Sequence, residues 1–132
     1  MTVTWTVKVV NEWYEKYRNK NPGYDYYHEA HKKFGRWIHS ASYGSCSWLR
    51  EEVEKYLESK GVEISLITSA VIMFCGAMEA EVKYNEQVYE VLKEALRHIS
   101  ETGEDIIRDH AKVLIELITT AERLKSSIVC SG

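Results

Sequence analysis

Proline is almost absent from this chain. Pro22 stands alone, and with seven glycines it leaves little material for turns, which favours a few long helices. Phenylalanine is nearly as scarce, so the aromatic content rests on four Trp and nine Tyr. Cysteine occurs three times without a CxxC spacing, which predicts neither a disulfide framework nor a metal or redox motif. The opening residues MTVTWTVKVV lack the basic-then-apolar order of a secretory signal. Together these predict a reducing, intracellular (cytoplasmic) setting. The longest uncharged run, Ile64–Met78, has 15 residues, short of the roughly 18 or more that a membrane span needs. No phosphate loop, HExxH, Glu-x-x-His or nucleophile elbow is present, and no Arg is followed four to six residues later by His as in small helical ribonucleases.

The chain contains 132 residues, enough for one domain with a core of its own. Its most apolar stretch, Val62–Tyr84, has hydrophobic residues on nearly every side when wound as a helix. This predicts a buried central helix, about 63–83. The N-terminal residues alternate Thr and Val with a strand-like period of two, yet Trp5, Val9, Trp13 and Tyr17 also form a helical stripe. With no partner strand evident, a helix over about 4–19 is expected, and a strand only if it pairs with another subunit. Further helices are expected after Pro22-Gly23, from the Asp25 cap to about Ala41; from the Ser47 cap to about Ser59, ended by Gly61; from beyond Asn85 to about Ser100; and over about 104–128. The tail 129–132 is expected to be loose. The predicted fold is all-α, a single-domain bundle of five to six helices.

Three sets of residues point to function. All four Trp and seven of nine Tyr lie in the first 56 residues, more than the apolar stripes there can hide. Such residues dominate protein–protein hot spots, so Trp5, Trp13, Tyr14, Tyr17 and Trp48 are candidates for a partner or self-association surface. The second set is basic and aromatic. Lys16, Arg18, Lys20, Lys32, Lys33 and Arg36 are interleaved with Tyr24, Tyr26 and other rings across residues 14–37. Cations beside stacking rings suit single-stranded nucleic acid, although lysines on a solvated outer face over tyrosines that rim the core would look the same.

The third set is His28, His31, Glu81 and His110, which would bind a metal ion through nitrogen and oxygen if they met in the core. Otherwise they are surface histidines and one hydrogen-bonded core histidine. The segment His31-Lys32-Lys33-Phe34-Gly35 also resembles the phosphorylatable stretch of histidine-phosphotransfer domains, helical bundles with His-x-x-Lys-Gly. Phe34 stands where that motif has lysine. The resemblance implies a solvent-exposed His31. Cys75 reads as an inert apolar residue and Cys46 as the more reactive thiol.

The leading expectation is a non-catalytic helical interaction module: an adaptor, an inhibitor or a small subunit of an assembly. A nucleic-acid-associated accessory subunit is the alternative, and a metal-binding or phosphotransfer bundle is third. No cofactor is required by any motif, although the histidine set admits a metal ion.

Overall fold

The Thr/Val alternation at the N-terminus forms a strand, β1 (Thr2–Val7), and it finds its partners within the chain. A computed structural model describes residues 1–132. After β1 come α1 (Lys8–Tyr17), α2 (Tyr26–Phe34), β2 (Ile38–Ser42), α3 (Tyr43–Ser59), α4 (Ile64–Val71), β3 (Glu79–Val82), α5 (Glu86–Thr102), α6 (Asp105–Arg123) and β4 (Ile128–Ser131). The four strands make one antiparallel sheet in the order β2-β1-β4-β3. The fold is therefore mixed α/β, and the all-α expectation is overturned.

Each missed strand lay inside a segment read as something else. The helix predicted from Asp25 to Ala41 is capped by Asp25 as expected but stops at Phe34. Gly35, at φ +97°, ends it, and β2 follows. The predicted central helix survives only as the eight residues of α4. Gly76, at φ +63°, turns the chain, and Glu79–Val82 becomes β3. The tail is β4, which lies between β1 and β3 with Ile128 and Cys130 fully buried. Strand pairing satisfies backbone groups that an isolated β-branched segment would leave open, and it overrides the weak helical propensity of these stretches.

The sheet has two unlike faces because side chains alternate along each strand. Val3, Trp5, Val7, Ala41, Val82, Ile128 and Cys130 point inward and are buried. Thr2, Ser40, Ser42 and Glu79 are exposed on the other side, with Thr4 and Thr6 half-buried among them. The inner face lies against α3 and α6, and α5 packs along both of these helices. Val88, Leu92, Ala95, Leu96 and Ile99 form the inner stripe of α5, as their spacing predicts, and Asn85 caps it by accepting from the Val88 N–H. The inner face of α6 is Ile107, Ala111, Leu114, Leu117, Ile118 and Ala121. A stripe of Ile106, His110, Val113, Leu117, Ala121, Leu124 and Ile128 is what the sequence spacing predicts; the buried face instead starts one residue later at Ile107, and Ile106 is exposed. Gly61, at φ +69°, ends α3 as expected, but that helix begins at Tyr43 with Ser42, not Ser47, as its cap.

A disulfide joins Cys75, in the turn after α4, to Cys130 on β4. Cys75 is thus a cross-link rather than a free apolar residue, and the cysteine argument for a reducing compartment falls with it. Cys46, read from the sequence as the more reactive thiol, is buried on α3, and burial pushes its thiol pKa up. The same turn is held by the Trp5 indole, which donates to the Met73 carbonyl (2.7 Å), and by Arg50, which donates to that of Phe74 (3.4 Å). No helix is long and apolar enough to cross a membrane.

Candidate nucleic-acid interface

Helices α1 and α2 form a hairpin whose packing is almost entirely aromatic. Trp13 and Tyr17 are one turn apart on α1, with ring centroids at 5.1 Å. Trp13 meets Phe34 at 5.5 Å and Tyr26 at 6.4 Å across the hairpin. A second row joins Tyr14 to Tyr27 (6.1 Å) and to Trp37 (5.3 Å). Edge-to-face and tilted rings at these separations each add about 0.5–1.5 kcal/mol beyond simple burial. The Pro22-Gly23 turn sets the reversal, and Asp25 starts α2 by accepting from the His28 N–H at 3.0 Å.

The cations of the hairpin lie on the outer surface of this aromatic layer. Lys33 Nζ is 5.7 Å from the ring centres of both Trp13 and Phe34. Lys16 and Lys20 each lie 5.6 Å from Tyr17, and the Arg18 guanidinium is 5.6 Å from Tyr14. Arg18 also pairs with Glu15 (3.3 Å) and Arg36 with Glu116 of α6 (3.4 Å). Lys16, Lys20, Lys32 and Lys33 enter no ion pair and remain available to an anion. Residues 8–36 carry seven Lys/Arg against four Asp/Glu, net +3, while the rest of the chain is net −6. Tyr24 and Tyr27 are nearly half exposed, at 49% and 44%, and Tyr26 is half-buried. The Tyr24 hydroxyl donates to Glu29 (3.0 Å), which pushes its pKa up and orients the ring.

The root of the hairpin is clamped to α6. Arg123 donates to the Phe34 carbonyl, and the Val7 N–H donates to that of Trp37 at 2.8 Å. Trp37 is buried among Tyr14, Tyr27 and His31, and its indole N–H has no oxygen or nitrogen acceptor. Below it, His39 Nε2 and His110 Nδ1 share a hydrogen bond of 2.7 Å, with the His39 ring stacked on Trp5. Burial, then His110 and Arg36, lower the His39 pKa to about 4.

The five candidate partner-binding residues do not share a surface. Trp5 is fully buried under the sheet, and Trp48 stands on α3, 37% exposed. Trp13, Tyr14 and Tyr17 belong to the hairpin and are half-buried there. The basic and aromatic residues, by contrast, come together: Lys16, Arg18, Lys20, Tyr24, Tyr26, Lys32 and Lys33 all lie on the hairpin, with Arg36 at its root.

The candidate metal ligands are dispersed. Glu81 pairs with Lys8 (2.9 Å), which lowers its pKa, and His110 meets His39. His28 is exposed on the first turn of α2. No group of three or more His, Cys, Asp or Glu side chains is placed to hold a metal ion. His31 is half-buried against Tyr27 and Trp37, and burial lowers its pKa, whereas the phosphotransfer resemblance implied an open imidazole. The His39–His110 pair is not evident from the sequence, because a helix from Asp25 to Ala41 puts His39 on the same strip as His28 and His31. Assigning 38–42 as a strand, on whose inner face His39 follows the rule of alternation, is the signal that finds it.

Comparison with protein-family models, curated proteins and solved structures finds no match to this chain.

Proposed function

We propose that this chain is an accessory protein that holds single-stranded nucleic acid on the α1–α2 hairpin. One observation carries the reading: four unpaired lysines and a layer of rings converge on one two-helix lobe, opposite in charge to the rest of the molecule. Unpaired lysines release counterions when they meet phosphates, and exposed tyrosine faces accept bases without regard to sequence. The protein-partner reading, first on sequence grounds, loses its footing on this surface because Trp5 is a core residue and Trp48 lies on another helix.

The test is fluorescence anisotropy of a labelled 20-nucleotide oligo(dT) titrated with the intact protein at 50 mM salt. Lys32→Glu/Lys33→Glu is expected to weaken binding by about tenfold or more, and Tyr24→Leu by about fivefold or more. Both sites are exposed, so both variants should melt like the parent. Binding that is absent in the parent, or unchanged in both variants, refutes the reading.

A further inference from the structure

Helix α4, ISLITSAV, has no charged residue, yet one face of it meets solvent. Ile64, Thr68 and Ile72 follow one another at a spacing of four along that face, with Ile64 79% and Ile72 43% exposed. Exposed helix faces are ordinarily polar or charged, and this one leaves two isoleucines in solvent with no charge between them. On one side a groove of about 390 Å³ separates α4 from α3. Ile67 and Val71 form its floor, and Arg50, Glu54 and Glu58 stand on the α3 wall, where Arg50 is engaged with the Phe74 carbonyl and the two glutamates leave the wall net negative. On the other side, Leu66 and Val91 adjoin Glu86 and Glu90 of α5.

The glutamates indicate what fits. Glu54/Glu58 and Glu86/Glu90 are like-charge pairs at i, i+4, a spacing that destabilises a helix when nothing neutralises it. Glu54, Glu58 and Glu86 have no ion-pair partner, and Lys93, the partner of Glu90 at 3.2 Å, lies closer to Glu122 at 2.6 Å. Residues 50–104, which include α4 and the groove-lining parts of α3 and α5, carry six Lys/Arg against twelve Asp/Glu, net −6.

We infer that the α4 ridge docks a cationic amphipathic helix of a protein partner. Its apolar stripe covers Ile64, Thr68 and Ile72, and lysines or arginines on both flanks meet Glu54/Glu58 and Glu86/Glu90. This is helix-in-groove recognition, in which apolar anchors supply affinity and flanking charges set orientation. The surface lies on helices other than those of the hairpin, so the inference stands independently of the nucleic-acid reading.

The experiment records amide NMR shifts of the full-length, ¹⁵N-labelled protein at near-physiological salt. The probe is a synthetic 18-residue amphipathic helix of leucine and lysine, with a leucine and glutamate version as control. Shifts are expected to centre on Glu54, Glu58, Ile64, Thr68 and Glu86. Ile64→Ser and E54Q/E58Q are each expected to weaken the leucine–lysine peptide about tenfold. Ile64 is exposed, so its variant folds, and K32E/K33E on the hairpin should leave peptide affinity unchanged. The inference is overturned by shifts centred elsewhere, by equal affinity for the acidic control, or by variants that bind like the parent. It is also overturned if the protein without peptide associates with itself through these residues, which would make a second copy the occupant.

Discussion

Replacing Cys75 and Cys130 by alanine should destabilise the protein by about 4 kcal/mol. The disulfide spans 55 residues of sequence, and loop-closure entropy for such a span is about 14 cal/mol/K, or ~4 kcal/mol at 25 °C. A domain of this length unfolds with an entropy of roughly 0.28 kcal/mol/K near 60 °C, so the Tm should fall by about 15 °C. Cys130 is fully buried on the inner face of the sheet, and the cavity left by its sulfur adds to the loss. The assay is a thermal melt of the parent and the C75A/C130A variant, repeated with the parent under reductant. Thiols are counted after denaturation. The unreduced parent should show one free thiol, Cys46, and the reduced parent three. Cys46→Ala should keep the full difference between oxidised and reduced melts. Three free thiols in never-reduced protein, or a Tm change of less than about 3 °C, would refute the cross-link and its place in the fold.

Two further substitutions probe the root of the hairpin. Gly35 combines φ +97° with ψ −161°, a region essentially reserved for glycine, and a Cβ there would lie 3.0 Å from Thr120 Oγ1 and 3.2 Å from Arg123 Nη2. Gly35→Ala should therefore cost about 1–3 kcal/mol, read as a Tm lower by roughly 4–10 °C, and an unchanged melt would show that the α2–β2 junction is not as described. His39 has a folded pKa near 4 against its ordinary 6.5, so the unfolded chain binds more protons than the folded one between those values. Stability from this group is complete above about pH 6.5 and is lost as the pH falls through about 4. Because solvent reaches the ring, the loss is expected to be no more than about 2 kcal/mol. Denaturant titrations from pH 7 to 4 should show His39→Gln losing less stability than the parent across that window. Parallel curves for the two would count against the buried His39–His110 pair.

Helices with strong local signals were legible in the sequence. The Asp25 cap, the Gly61 stop, the break at Asn85 and the inner stripe of α5 all follow from neighbouring residues, and each is found in place, with Asn85 also serving as the cap of α5. The sheet was not legible, because its order places β4, from the last residues, between β1 and β3. A strand earns its stability from partners distant in sequence, and four residues such as Glu79–Val82 carry too little pattern to announce it. The disulfide was hidden for the same reason, since only the sheet brings Cys130 to Cys75. Without the sheet, the apolar run 64–78 had no explanation except a long buried helix. The candidate site draws on local sequence alone. The interleaving of basic and aromatic residues between Tyr14 and Trp37 is local, and it survives the change from one helix to helix, Gly35 and strand. Trp5 is the counterexample: its burial depends on the strand that sequence periodicity left ambiguous.

The measurement that bears most directly on the hairpin as a nucleic-acid interface is the salt dependence of oligonucleotide binding. Four unpaired lysines meeting phosphates on a single strand predict a slope of log K against log salt of about −3, or roughly a fiftyfold loss of affinity between 50 and 200 mM. Loss of Lys32 and Lys33 should halve that slope. A slope near zero, or one that K32E/K33E leaves unchanged, would contradict the account.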